Sequence, residues 1–125
     1  MLLKDKFFSI ENTVISNDGV TYQIRLLSDC DCYRGHFPGK PVSPGVCNIE
    51  MIRECAELFT GKDLFIEEIK QCRLTAVSSP AICPSLDVAI KLIPASDNTA
   101  YEINASITDQ ARTYMSLKGI FRTKQ

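Results

Sequence analysis

The sequence predicts an α+β fold in which an antiparallel sheet encloses one long helix. Three observations predict it: a period-two segment with turn residues before Leu27, a period of three and four from Val46 to Phe59, and a return to short period-two segments beyond Leu64. At roughly 100–150 residues per domain, 125 residues are read as one domain spanning 1–125.

From Val20 to Leu27, Tyr22, Ile24 and Leu26 alternate with Thr21, Gln23 and Arg25, the pattern of a half-buried strand. Asn17-Asp18-Gly19 supplies turn residues in front of it, so Phe7 to Ser16 and Val20 to Leu27 are expected to form a hairpin. An irregular stretch follows, Gly35 to Gly45, with three prolines and three glycines in eleven residues. The helix begins after it. Ser43 is placed to cap it, Pro44 suits a first turn, and Gly61 closes the far end. Val46, Ile49, Ile52, Ala56 and Phe59 form one apolar row, and Cys47, Met51, Cys55 and Leu58 widen it, leaving Glu50, Arg53, Glu54 and Glu57 as a polar strip. Leu64 to Leu74, Leu86 to Ile93, Tyr101 to Thr108 and Thr113 to Arg122 read as strands, separated by Ser78-Ser79-Pro80, Pro84-Ser85, Pro94 to Asn98 and Asp109-Gln110.

Composition excludes several functions. Fourteen basic against fifteen acidic residues leave no positive field for a phosphate backbone or an anionic membrane surface. No apolar run approaches the roughly 18 residues of a membrane span, and Lys4-Asp5-Lys6 interrupts the start too early for a secretory signal, so a cytoplasmic protein is expected. Cys30-Asp31-Cys32 lacks the spacing of zinc or thioredoxin motifs, and there is one histidine, so no metal site is expected. Cys47, Cys55, Cys72 and Cys83 read as reduced apolar fillers.

Two residues are candidates for chemistry. His36 stands on the Gly- and Pro-rich connection, which fits a stiff crossover as well as a rigid loop presenting a reactive group. Glu50 follows the spacing of a solvated helical stripe, yet it sits in the second turn between Ile49 and Met51, where partly apolar surroundings would raise its pKa and make it a proton donor.

The string from His36 to Glu50, His-Phe-Pro-Gly-Lys-Pro-Val-Ser-Pro-Gly-Val-Cys-Asn-Ile-Glu, resembles the signature of the beta-hydroxyacyl-(acyl carrier protein) dehydratases over fifteen consecutive positions, acid included. Weaker similarity follows at Ile69 to Leu74 and Pro80 to Pro84. The resemblance implies a hotdog fold and dehydration of a 3-hydroxyacyl thioester carried on acyl carrier protein, without a cofactor. It implies His36 as the base at C2 and Glu50 as the group that protonates or orients the leaving hydroxyl. The backbone N–H groups of Gly45 and Val46 would receive the oxyanion. Phe37, Ile49, Met51 and Ile52 are candidates for an acyl tunnel, a position equally well explained as core. It further implies a homodimer, with His36 from one chain and Glu50 from the other, and an option of a hexamer built as a trimer of dimers.

The chain departs from the family pattern in three places. A Leu-Leu-Pro-His-Arg-like opening is replaced by Leu2-Leu3-Lys4-Asp5-Lys6, a glutamine four residues after the acid is Glu54, and a Pro-Gly-Asp turn reads Pro84-Ser85-Leu86. These point to a specialised paralogue acting on a polyene or modified lipid. The alternatives are a hotdog thioesterase and a non-catalytic subunit binding an acyl chain or its carrier, with Arg34, Lys40 and Lys62 as candidate contacts for an acidic carrier.

Overall fold

The computed structural model describes residues 2–30, 43 and 45–124. Two strands, β1 (Phe8–Ile15) and β2 (Gly19–Leu26), precede the helix α1 (Gly45–Thr60), and β3 (Leu64–Leu74), β4 (Ser85–Pro94), β5 (Ala100–Thr108) and β6 (Thr113–Thr123) follow it. All six strands form one antiparallel sheet in the order β1-β2-β4-β5-β6-β3. Every expected element is present, including the β1–β2 hairpin. What alternation did not reveal is the pairing: β4 joins β2, and β3 crosses over to lie beside β6, leaving β1 and β3 as the sheet edges. No helix among the described residues is long and apolar enough to cross a membrane.

The inner face is built from rows that run across strands. Tyr22, Val88, Ile107 and Met115 are successive partners, and so are Val20, Ile90, Ala105 and Leu117. All eight are buried, as are Met51, Ile52, Cys55 and Ala56 of the helix laid against them. Bulges in β1 between Ile10 and Asn12 and in β3 between Ile66 and Glu68 and between Ile69 and Gln71 interrupt the register. Such insertions bend a strand and increase its twist, which curls the sheet around the helix.

Local chemistry sets the helix ends. Gly61 takes φ +69°, a conformation that costs glycine little, and its N–H donates to Glu57 O at 2.9 Å. Ser43 is buried, with its N–H donating to Ser78 O at 2.7 Å; Pro44 lies outside the described residues.

Gly19 opens β2 opposite Lys91, and a Cβ built there would collide with Ile90 O and stand 3.0 Å from Lys91 Cα. Both are backbone atoms that cannot rotate away. Gly19→Ala is therefore expected to push β2 from β4 and to destabilise the fold by about 1–3 kcal/mol. A urea melt checks it: an unchanged midpoint would show that the strands separate freely there.

The cysteine expectation holds in part. Cys55 and Cys83 are buried, and burial pushes the Cys55 thiol up to about 12, so it stays protonated and behaves as an apolar filler. Cys47 is half-buried, and Cys72 is exposed on edge strand β3.

Candidate functional site

His36 and Phe37 lie outside the described residues, as do Arg34 and Lys40. The structure places the remaining predicted site residues on α1. Gly45 and Val46 are its first two residues, where N–H groups have no acceptor within the helix. Val46 is 72% exposed, although it belongs to the apolar row. A Cβ on Gly45 would meet only Leu74 Cδ2, at 3.8 Å, an ordinary contact. Ile49 is partly buried against the core, and Met51 and Ile52 are fully enclosed within it. Lys62 lies over the Tyr101 ring at 5.4 Å and donates to Asn98 O at 3.4 Å.

Glu50 occupies the second turn with its side chain 27% exposed. Arg53, one turn on, grips it through both oxygens: Nε donates to Oε1 at 2.8 Å and Nη2 to Oε2 at 2.5 Å. This overturns the expectation of a raised pKa. The Arg53 hydrogen bonds outweigh burial, and with help from Glu54 and the charge of Lys124 they hold the Glu50 carboxyl below the ordinary glutamate range. Nη1 of Arg53 reaches further, to Glu57 Oε2 at 2.8 Å and Leu64 O at 2.9 Å. Glu57 Oε2 in turn accepts the Leu64 N–H at 2.8 Å. Both backbone groups at the first residue of β3 are thus held by side chains of the helix.

The polar strip is therefore not a solvated face. Glu54 is completely enclosed and Glu57 is 9% exposed. Glu54 accepts the Lys4 N–H at 3.0 Å through Oε1 and the Leu3 N–H at 3.0 Å through Oε2, which fastens the N-terminal segment across the helix. Burial and the neighbouring Glu50 raise its pKa against the lowering effect of those N–H groups. The raised acid expected at Glu50 is found one turn later. The E-x-x-R spacing of Glu50 and Arg53 is a sequence signal for this pair, since residues three apart meet on a helix. Helical spacing gives no sign of the contacts of Glu54, whose partners lie 50 and 51 positions away; the sequence marks it only as standing in place of a glutamine.

Asn48 is another polar residue that helical periodicity left unassigned. It is fully buried in the first turn, with Nδ2 donating to Ser78 Oγ at 3.5 Å and Oδ1 without a partner among the described residues. Two open grooves, of about 510 and 470 Å³, lie elsewhere. The first is bordered by Gln23, Cys83, Asp87 and Asp109, the second by Lys70, Lys91, Glu102 and Lys118 on the outer face of the sheet. Neither is lined by Glu50 or Gly45.

Comparison with known proteins agrees with this architecture. A family model described as ApeI-like, ApeI dehydratase, matches residues 11–117. Two curated proteins named 3-hydroxyacyl-(acyl-carrier-protein) dehydratase FabZ are similar to part of the chain. The one from Levilactobacillus brevis is 38% identical over 63 residues, covering 45% of this chain and 43% of that protein. The one from Lactiplantibacillus plantarum is 36% identical over 55 residues, covering 38% and 37%. The chain thus spans about two fifths of the length of the curated relatives it matches. Among solved structures, the dehydratase heterocomplex ApeI:P from Xenorhabdus doucetiae superposes with a TM-score of 0.61 at 20% identity, over 86% of this chain and 89% of that one. An uncharacterized protein from Erwinia carotovora subsp. atroseptica does so with a TM-score of 0.52 at 16% identity, over 93% and 92%. At these identities the structural matches establish the hotdog fold alone.

Proposed function

Because this chain belongs to the ApeI-like dehydratase family, we propose that it removes water from a 3-hydroxyacyl thioester carried on acyl carrier protein, giving the trans-2-enoyl thioester. The observation behind this reading is Glu50. It is the acid in register with the His36-Phe37-Pro38 string, and it stands on the second turn of α1 with its carboxyl partly open.

Dehydration needs a base for the weakly acidic proton on C2, a site for the negative charge that develops on the thioester oxygen, and a group facing the hydroxyl on C3. His36 is the base: an imidazole ordinarily titrates at about 6.5, which suits that task near pH 7. The N–H groups of Gly45 and Val46 point along the positive end of the helix dipole and suit the oxyanion. Gly45 has no Cβ to keep the carbonyl away. Glu50 addresses the hydroxyl. Ile49 and Phe37 remain the candidates for contact with the acyl chain, whereas Met51 and Ile52 are enclosed in the core.

We further infer that a second copy completes the site. β3 offers an eleven-residue edge with no strand on its outer side among the described residues, and Phe65, Ile69 and Leu74 are exposed along it. An unpaired edge of that length, with three large apolar side chains exposed among its charged ones, favours addition of another strand. In this reading the site is shared as the family resemblance implies, with His36 from one chain and Glu50 from the other. The fold relative from Xenorhabdus doucetiae is a heterocomplex, which favours a second reading, in which the added strand comes from a different hotdog chain. A cytoplasmic setting belongs to this reading, in which Cys55 and Cys83 serve as buried thiols.

The test presents short, medium and polyene 3-hydroxyacyl thioesters on acyl carrier protein and on coenzyme A. Appearance of the enoyl chromophore supports the proposal, and thiol release without it identifies a thioesterase. Binding of the acyl carrier without either product identifies a non-catalytic subunit. Light scattering of the same preparation gives a dimer mass if the chain pairs with itself, and a monomer mass if it requires another partner.

A further inference from the structure

Arg53 belongs to none of the roles assigned above, yet it makes more directed contacts than any other side chain of the helix. Its guanidinium holds both oxygens of Glu50, one oxygen of Glu57 and the carbonyl of Leu64, with only 16% of the side chain exposed. A planar fork suited to bidentate binding of carboxylate, locked at its other end to backbone, fixes where the Glu50 oxygens point. A lysine could supply the charge but not that geometry.

We propose that Arg53 is the positioning residue of this site, gripping Glu50 as a carboxylate so that it meets the substrate as a hydrogen-bond acceptor and not as a proton donor. The inference rests on the dehydratase reading, in which Glu50 faces the hydroxyl on C3. Glu50 then orients the hydroxyl by accepting its hydrogen bond. The proton that departs with the hydroxyl comes from the imidazolium formed when His36 takes the proton from C2. The C2–H and C3–O bonds break, the C2–C3 double bond forms, and water leaves with no net change in protonation. The groups facing Glu50 are Arg53, Glu54 and Lys124, with Glu57 behind Arg53. Two of them are cations, and Glu54 is the carboxyl whose pKa burial and Glu50 raise, so the arrangement keeps the negative charge on Glu50.

Arg53→Met and Arg53→Lys separate this from a structural staple. The proposal expects Arg53→Met to lose on the order of tenfold to a hundredfold in kcat near pH 7, the scale of a misplaced reacting group. KM should change little, and Arg53→Lys should recover part of the loss. If Glu50 is instead the proton donor, releasing it from Arg53 raises its pKa and kcat near pH 7 goes up, which overturns the proposal. Carboxyl-carbon NMR of Glu50 needs no turnover: its titration should move to higher pH in Arg53→Met and stay close to wild type in Arg53→Lys. An unmoved titration in a folded Arg53→Met also overturns the proposal. A wild type that titrates as expected but forms no enoyl product would mean that the dehydratase reading has failed and the positioning of Glu50 has not.

Discussion

Glu50→Gln is expected to lower the rate of enoyl thioester formation by about 10²- to 10⁴-fold, and His36→Ala to lower it by a similar factor. The amide introduced by Glu50→Gln is almost the same size as the carboxyl it replaces, so the helix packing is preserved. What the variant loses is the charge that two nitrogens of Arg53 hold. An amide oxygen accepts one of those hydrogen bonds while its NH₂ group faces a guanidinium that has only donors, so the group turns or the fork opens. His36→Ala removes the only imidazole in the chain, and with it the only side chain whose ordinary pKa suits a base near neutral pH. The measurement is single-turnover formation of the enoyl chromophore, with circular dichroism to establish that both variants are folded. Full activity in a folded Glu50→Gln would remove this carboxyl from the reaction. Retained activity in His36→Ala would require another base altogether.

The largest loss of stability is expected at Glu54. Its carboxylate accepts the N–H groups of Leu3 and Lys4 in a fully enclosed position. Glu54→Ala strands two donors and leaves a void, for a loss of about 2–5 kcal/mol. Glu54→Gln keeps an acceptor oxygen in the same place and is expected to lose far less. The two differ in pH dependence as well. The pKa of Glu54 is raised in the folded protein, so folding binds its proton more tightly than the unfolded chain does. The stability this group adds is complete below the ordinary glutamate range and is lost as pH rises through the raised folded value. Glu54→Gln lacks that term, so its stability relative to wild type should improve as pH rises from 4 toward neutrality. Urea melts across that range check the sign, and a constant difference would show that Glu54 has no raised pKa.

The elements that periodicity identified are those whose side chains alternate between core and water. β2 and β4 were legible because Tyr22, Ile24, Leu86, Val88 and Ile90 face one layer while their neighbours face solvent. The helix bounds were legible because Gly61 has to take a positive φ. The order of strands was not legible, because the pairing of β3 with β6 is a contact between segments about fifty residues apart and leaves no local trace. The site divided in the same way. The string from His36 to Glu50 marked where to look, but helical spacing made Glu54 and Glu57 look solvated. Apart from the Arg53–Glu57 pair, their partners are backbone amides of Leu3, Lys4 and Leu64, and any residue type supplies those, so no pattern of side chains announces them.

Leu64 gives up both of its amide groups to Arg53 and Glu57, and it is also the first residue of the strand with an open outer edge. The hydrogen-bond ladder between β3 and β6 and the carboxyl of Glu50 therefore share one fixed point of reference. Sliding the strand by one residue would present Phe65 to Arg53 in place of Leu64, reversing which side of the ribbon faces the helix and swinging the guanidinium away from Glu50. The register of β3 within its own sheet and the aim of the acid are thus a single geometric condition, and a chain folded with that strand out of step would be silent without any change in its reactive groups.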